Sequence, residues 1–407
     1  ARNGISMARP TLGIGVFGMW AGSGMRNANL QIARPPQWHY RLPWFMSVDG
    51  NGDLVGTEDA QAIQDERLQK CYSAGIDYYI LWGVGVDPEF PMFGDGSMDG
   101  FGGAQQWAGF NAPLYYYFKS QYKNQMPYCL VQGIGSCTRI PKYNIYGTLN
   151  GTDPSDWPHT RDWLITRMQD ANYFKVDTSA QGGRANQPLL YWFAAEATRN
   201  WNYNGSAANM KADIDDLVTR ANAVGVYPYI VCWGPKGATT FAWDALGNYS
   251  VGPTGGAQGE AYTTFRAREE AVWTSNLSLH SATVPNCSVG QDYRCIANTS
   301  GFPNSYQLDS DPTNQANGND TPNWVVQPTP AQLVTHIQNA FNFIEANPTS
   351  CKARTVSLYA LTECLEGTIG LDPSASGGAY LQALATILGQ RDPHGTYRSR
   401  GAAIKTR

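Results

Sequence analysis

The sequence predicts an α/β protein folded as a (β/α)8 TIM-type barrel with long βα loops. Short runs rich in β-branched and aromatic residues alternate with amphipathic segments along the 407-residue chain, which is typical of a parallel α/β architecture. Seven or eight such strand–helix units follow one another without a Pro/Ser-rich linker between two halves. The string 13–18 matches G-x-G-x-x-G but opens no helix, so a closed barrel is favoured over an open dinucleotide-binding sheet.

The strands are predicted from short apolar runs bounded by turn residues. The acidic, glycine-rich stretch 49–53 predicts a hairpin turn rather than a calcium loop, because it lacks the later Glu of an EF-hand. The predicted strands cover residues 11–20, 76–84, 127–134, 189–193, 227–233, 281–289 and 353–361.

The helices are predicted from apolar residues at helical spacing and from start and stop signals. The clearest start is 329–332, where Thr329 is suited to the N-cap, Pro330 to the first turn and Gln332 to a capping box. A typical barrel needs about 250 residues, so the surplus is expected in loops such as 86–112 and 234–260. One domain is predicted over 1–407, with 1–10 and 391–407 as extensions. The predicted helices cover residues 60–73, 114–122, 157–170, 210–224, 261–275, 329–347 and 379–388.

The composition is poor in charge and rich in aromatic rings. Charged residues make up 15% of the chain, against roughly 25% in an average globular domain. The net charge of -4 does not resemble the basic surface of a nucleic-acid-binding protein. The 13 Trp and 23 Tyr fit a surface on which sugar rings stack, and they fit equally an aromatic-rich core; composition alone does not separate the two.

Localisation signals are weak but point in one direction. No run approaches the roughly 20 apolar residues that a membrane span requires. Seven N-x-S/T sequons are compatible with export, although several are expected by chance in a chain so rich in Asn, Ser and Thr. Cys287 and Cys295 flank a short loop and could pair in an oxidising compartment. We predict a secreted or periplasmic protein, and the sequence does not reveal its oligomeric state.

Elimination leaves carboxylates as the groups for catalysis. The five histidines never stand at metal-ligand spacing, and no H-E-x-x-H, G-x-S-x-G or Walker-type motif occurs, so neither a metal nor a cofactor is expected. Catalytic groups of barrels lie at the C-terminal ends of strands. Glu363 and Glu366 follow the last predicted strand and could supply the two carboxyl groups that glycoside hydrolysis needs. Acids at a helix N-terminus are the alternative explanation.

The segment that follows the last strand resembles glycoside hydrolase family 99 and its relatives, among them proteins of lipopolysaccharide-biosynthesis clusters. The resemblance rests on Thr-Glu-Cys-Leu-Glu-Gly at 362–367, Leu-Asp-Pro at 371–373 and Gly-Ala-Tyr-Leu-Gln-Ala at 378–383. The family pattern reads Asn-Glu-Trp-x-Glu-Gly, Leu-Glu-Pro and Gly-x-x-Tyr-Leu-Glu-Ala. Weaker similarities at 174–191 and 290–294 extend the match over residues 11–390. Thr362, Cys364 and Asp372 depart from the pattern.

The resemblance implies a metal-independent barrel enzyme that cleaves glycosidic bonds with net retention. In this family, the first Glu acts as a base on the 2-hydroxyl of the sugar and the second protonates the leaving oxygen. Glu363 would then be the base and Glu366 the general acid. Because the altered residues change the cleft, a non-catalytic glycan-binding or surface-structural protein on the same barrel is the alternative, and a transferase of cell-surface glycan assembly a remoter one. The predicted substrate-binding residues are Trp82, Tyr191, Glu196, Trp233, Asp292 and Arg294.

Overall fold

The computed structural model describes most of the predicted strands and helices, together with several of the segments that connect them. The residues it describes are 9–16, 30, 33–58, 60–82, 113–132, 156–193, 206–234, 241–255, 258–292, 294, 323–362, 371 and 378–391.

Eight parallel strands form a nearly closed barrel, in which consecutive strands pair side by side except at the sixth and seventh. The seam is made by the first and last strands, which pair from Thr11 with Thr355 to Ile14 with Leu358. Between the sixth and seventh strands a single bridge joins Leu246 to Thr283. The fold is therefore a (β/α)8 barrel, as predicted. The strands are β1 Thr11–Val16, β2 Tyr78–Trp82, β3 Tyr128–Gln132, β4 Gln187–Phe193, β5 Tyr229–Trp233, β6 Ala245–Gly247, β7 Asn286–Ser288 and β8 Thr355–Tyr359.

Helices flank the barrel in the order that the sequence predicts. The capping box at Thr329 is confirmed: its hydroxyl accepts from the Gln332 amide at 3.2 Å, and the Gln332 side chain accepts from the Thr329 amide at 2.7 Å. The helices are α1 Gln61–Ser73, α2 113–119, α3 Asp156–Met168, α4 Ala207–Ala223, α5 Tyr262–Leu279, α6 Pro330–Ala346 and α7 Ala379–Leu388.

The structure confirms one local prediction and departs from another. The hairpin at 49–53 is confirmed, since Ser47–Val48 pairs antiparallel with Leu54–Val55 and Asp49 Oδ1 accepts from two amides of the turn. The strand β6 was not predicted: its three residues lie in the stretch assigned to the loop 234–260. Pairing with β5, rather than a local pattern, gives Ala245–Gly247 its extended form.

Inside the barrel, the side chain of Tyr78 fills the space beside Gly13 of β1, which has no side chain of its own. Tyr78 is fully buried, and its hydroxyl contacts Tyr191 at 3.1 Å and Thr355 at 2.8 Å. Its ring stacks on Phe174 with 3.8 Å between centroids. A Cβ placed on Gly13 would lie 2.2 Å from that ring, so β1 needs glycine at the position that faces Tyr78.

Replacing Gly13 by alanine is expected to destabilise the fold by about 1–3 kcal/mol, because the added methyl group overpacks the core. The ring of Tyr78 is held on one face by Phe174 and at its hydroxyl by two partners, so it has little room to move. Urea unfolding measures the change. Gly252→Ala is the matched control, since nothing lies within 4 Å of its added Cβ. Equal unfolding midpoints for the two variants would contradict the packing argument.

The sequons and cysteines bear on the compartment. Asn248, Asn276 and Asn286 are buried, so these three sequons are not accessible for glycosylation in the folded chain. Cys287 is a buried free thiol, and burial raises the pKa of that thiol; its predicted partner Cys295 lies outside the described residues. Cys129 and Cys232 are buried within β3 and β5. No helix in the described part of the chain has the length and apolar character needed to cross a membrane.

Candidate active site at the barrel mouth

Aromatic side chains end four of the barrel strands. Trp82, Phe193, Trp233 and Tyr359 are the last residues of β2, β4, β5 and β8. Because the strands are parallel, these four ends lie on the same rim of the barrel. Tyr249, two residues beyond β6, joins them. We call these five residues the aromatic mouth.

The rings of the aromatic mouth contact one another, mostly edge to face. Phe193 lies 5.0 Å from Trp82 and 6.2 Å from Trp233, measured between ring centroids. Tyr249 lies 4.6 Å from Phe193, 5.3 Å from Trp233 and 4.2 Å from Tyr359. Such distances are those of favourable aromatic pairs. Tyr249 therefore ties the loop after β6 to the ends of three strands.

Burial differs around the aromatic mouth. Trp82, Trp233 and Tyr359 are buried, whereas Phe193 and Tyr249 are half-buried. The indole Nε1 of Trp233 is buried and has no acceptor within hydrogen-bond distance in the described part of the chain. Buried donors are normally paired, so this N–H is an unsatisfied donor in the described part of the chain.

Tyr191 lies one layer below the aromatic mouth, inside the barrel. Its ring is 5.1 Å from that of Trp233, and its hydroxyl lies 3.1 Å from that of Tyr78. The residue is fully buried, and burial raises the pKa of its phenol. The structure thus brings Tyr191 and Trp233 together; the substrate-binding role predicted for Tyr191 stays a prediction.

A second cluster lies beyond the end of β7 and contains two of the predicted residues. Asp292 is buried, and Arg294 donates to its two carboxylate oxygens at 2.9 and 2.7 Å. Arg41 is also buried; it donates to the same carboxylate and, at 2.9 Å, to the Asp292 carbonyl. Since guanidinium groups occupy both oxygens, Asp292 orders two arginines rather than acting as a free base.

Two tryptophans complete this cluster. The Arg294 guanidinium lies 3.4 Å from the ring centroid of Trp324 and 5.5 Å from that of Trp38. The Arg41 guanidinium lies 4.9 Å from the Trp38 ring. Arginine stacked on indole is a favourable cation–π arrangement. The sequence reasoning found Asp292 and Arg294 but missed Arg41 and the two tryptophans.

The three predicted glutamates, Glu196, Glu363 and Glu366, lie outside the described residues. The chain leading to the last two is described as far as Thr362, which is buried. Beyond β8 the backbone continues along β1, because the Leu361 amide donates to the Gly15 carbonyl at 2.8 Å. Thr362, the residue that precedes Glu363 in the sequence, therefore lies at the C-terminal end of β8.

Two aromatic residues that the sequence reasoning missed, Phe193 and Tyr359, carried a detectable signal. Phe193 ends a predicted strand just as Trp233 does, and Tyr359 lies two residues from the end of another. An aromatic residue repeated at the C-terminal ends of successive predicted strands would have indicated the aromatic mouth. In the described ranges, no three His, Cys, Asp or Glu side chains converge as the ligands of a metal ion would.

Comparison with solved structures identifies proteins of the same architecture. A glycoside hydrolase-like protein matches with a TM-score of 0.52 at 12% identity, covering 93% of each chain. The fold of this chain is similar to that of a glycoside hydrolase-like protein.

Two further solved structures match with lower TM-scores. They are structures of the GH99 endo-α-mannosidase from Bacteroides thetaiotaomicron. The one in complex with bis-tris propane has a TM-score of 0.45 at 10% identity over 92% of this chain and 95% of that chain. The other has a TM-score of 0.44 at 10% identity over 92% and 96%. No protein-family model and no curated protein matches the sequence.

Proposed function

We propose that the chain is a glycoside hydrolase that cleaves a polysaccharide or oligosaccharide through Glu363 and Glu366, without a metal. The observation that carries the proposal is the aromatic mouth at the C-terminal ends of the barrel strands, the end at which barrel enzymes place their active sites. Thr362, the sequence neighbour of Glu363, is buried at the end of β8, and its neighbour Leu361 is tied to β1. The names of the structural neighbours point to the same chemistry.

The proposed mechanism uses the 2-hydroxyl of the substrate as the nucleophile. Glu363 takes the proton of the 2-hydroxyl while the oxygen of that hydroxyl attacks the anomeric carbon. Glu366 protonates the glycosidic oxygen as the bond to the leaving sugar breaks. A water molecule then opens the resulting 1,2-anhydro sugar: the water gives a proton to Glu366 as its oxygen attacks the anomeric carbon, and Glu363 returns its proton to the 2-oxygen. Both carboxyl groups regain their starting states, and the anomeric configuration is retained.

The aromatic mouth supplies the binding surface in this proposal. A pyranose has an apolar C–H face that packs on aromatic rings, and hydroxyls that pair with polar groups. Trp82 and Trp233 are proposed to contact the sugar, with the Trp233 indole N–H donating to a hydroxyl. Arg294 and Asp292 are proposed to bound the same cleft, as are Tyr191 and Glu196. A polysaccharide substrate agrees with a secreted or periplasmic location, which is also a proposal.

A glycan-binding protein without turnover is the second candidate. The observation that favours it is the pair of substitutions around the first glutamate, where Thr362 and Cys364 stand in place of the family's Asn and Trp. Losing a Trp beside the reacting sugar alters the pocket while leaving the rest of the aromatic mouth in place.

The test is to incubate the protein with a panel of purified polysaccharides, including α-mannans, and to measure new reducing ends and binding in parallel. The proposal expects at least one polysaccharide to be bound and cleaved. Binding without any cleavage would overturn the hydrolase and support the binding protein. A protein that neither binds nor cleaves any member of the panel would contradict both functions.

A further inference from the structure

A fully buried glutamate lies on α5, facing the end of β7. Glu269 accepts a hydrogen bond from the Ser288 amide at 3.0 Å and, weakly, from the Val251 amide at 3.4 Å. The hydroxyls of Ser250 and Ser288 lie close enough to lower the pKa of its carboxyl group. Ser288 is the last residue of β7, and Ser250 and Val251 follow Tyr249, so one side chain joins a strand end to the loop that carries part of the aromatic mouth.

No cation neutralises this carboxyl group in the described part of the chain. The nearest ring is that of His336 on α6, whose Nε2 lies 3.8 Å from Oε2, beyond hydrogen-bond distance. His336 is fully buried, and burial lowers its pKa to about 3, so the imidazole is neutral. On α5 itself, Arg266 forms an ion pair with Glu270 at 3.3 Å.

The remaining titratable groups around Glu269 are Tyr262 on its own helix and Cys287 on β7. Both are fully buried, and desolvation raises the pKa of each. Tyr262 is held by the Ser288 carbonyl at 2.7 Å and by His336 Nδ1 at 3.0 Å. Desolvation likewise raises the pKa of Glu269, to about 8, so the side chain is protonated at neutral pH.

Residues 248–254, which we call the Tyr249 segment, are held by further contacts besides those with Glu269. The Asn286 side chain donates to the Tyr249 carbonyl at 2.7 Å. The Thr254 amide donates to Glu260 at 3.1 Å, and Arg268 donates to the Gly252 carbonyl at 2.6 Å. Of the acids that contact this segment, Glu260 is ion-paired with Arg268 at 2.7 Å, whereas Glu269 is held only by amides and hydroxyls.

We propose that Glu269 is a positioning residue for the aromatic mouth, which in its protonated form ties the Tyr249 segment to the end of β7 and when deprotonated releases it. The proposal deepens the glycan-binding site and, for its effect on substrate, rests on the proposed function. Tyr249 contacts Phe193, Trp233 and Tyr359, so releasing its segment removes one wall of the aromatic mouth.

The sign of the pH effect follows from the raised pKa. Between the ordinary pKa of glutamate and about 8, the held state binds a proton that a water-exposed carboxyl group has lost. The held state is therefore favoured most at low pH and loses that advantage as the pH rises from the ordinary pKa of glutamate to about 8. Within this window each pH unit shifts the equilibrium toward release by about tenfold, and above 8, where both states have lost the proton, the shift stops.

Hydrogen exchange measured by mass spectrometry tests this without any substrate. In the wild-type protein, protection of peptides covering 248–254 is expected to fall by about tenfold per pH unit between about pH 5 and 8 and to level off above 8, after correction for intrinsic exchange. Glu269→Gln keeps the shape and stays neutral, so its protection should be constant over the same range. Glu270→Gln, one position along the helix, is the control and should behave as wild type. A flat wild-type profile overturns the proposal, and this result does not require the variant to fold.

The second measurement uses a polysaccharide that the panel shows to be bound, and, where it is cleaved, the values of KM and kcat. The wild-type dissociation constant or KM should rise as the pH increases toward 8 while kcat changes less, and Glu269→Gln should lose that rise. A rise in KM that persists in Glu269→Gln overturns the positioning role. If no polysaccharide is bound, the proposed function fails, whereas the exchange experiment still decides whether Glu269 holds the segment.

Discussion

Replacing Glu366 by glutamine is expected to lower kcat on a polysaccharide substrate by about 10²–10⁴-fold, the usual contribution of a general acid. Glutamine has nearly the shape of glutamic acid but cannot give a proton to the leaving sugar oxygen. Binding should change little, because the aromatic mouth is untouched. The measurement is kcat by release of reducing ends, with the dissociation constant measured on the same polysaccharide.

A substrate whose leaving group is more acidic than a sugar hydroxyl tests this prediction more sharply. An aryl glycoside with an acidic phenol needs little protonation, so Glu366→Gln should cleave it at close to the wild-type rate. Glu66→Gln is the matched control, because that side chain is on the surface of α1 with 46% exposure and pairs only with Lys70 one turn away. A Glu366→Gln protein with wild-type kcat on the polysaccharide would remove Glu366 from the reaction.

Replacing Asp292 by alanine is expected to lower the free energy of unfolding by about 3–5 kcal/mol, the usual cost of removing one partner of a buried ion pair. The side chain of Arg41 is 0% exposed, so water cannot replace the lost carboxylate. Arg294 would lose both of its carboxylate contacts at the same time. Urea unfolding measures the change.

The matched control is Asp53→Ala, which breaks an ion pair with Arg34 on the surface. Those side chains are 56% and 70% exposed, and such pairs are worth about 0–1 kcal/mol. Asp292→Asn, which keeps an acceptor oxygen but not the charge, should fall between the two. Loss of no more than 1 kcal/mol in Asp292→Ala would show that the cluster is not a stabilising centre.

The sequence predicts strands where the local signal is strong and misses β6, where it is weak. β2 and β5 are continuous apolar runs, β3 and β8 include a few polar residues, and all four are buried along their whole length and lie inside predicted strands. β6 has three residues, one of them Gly247, and no local pattern identifies it. Its form comes from β5 on one side and the bridge to Thr283 on the other, contacts that depend on the closed barrel.

The residues of the candidate site show the same contrast between local sequence signals and contacts distant in the chain. Trp82 and Trp233 could be found because strand ends are visible in the sequence. Arg41 could not, because the carboxylate that holds it is 251 positions away along the chain. Glu269 is a similar case: on an amphipathic helix it looks like any surface acid, and only the packing of α5 against α6 and β7 reveals that it is buried.

The pairing of β1 with β8 has a consequence for biosynthesis. Thr11 of β1 pairs with Thr355 of β8 across 344 positions of the chain, so β1 keeps one open edge until β8 has been synthesised. An unpaired parallel edge is a template for intermolecular association. That edge is therefore open to association throughout the synthesis of the residues between β1 and β8, and the ring can close only afterwards.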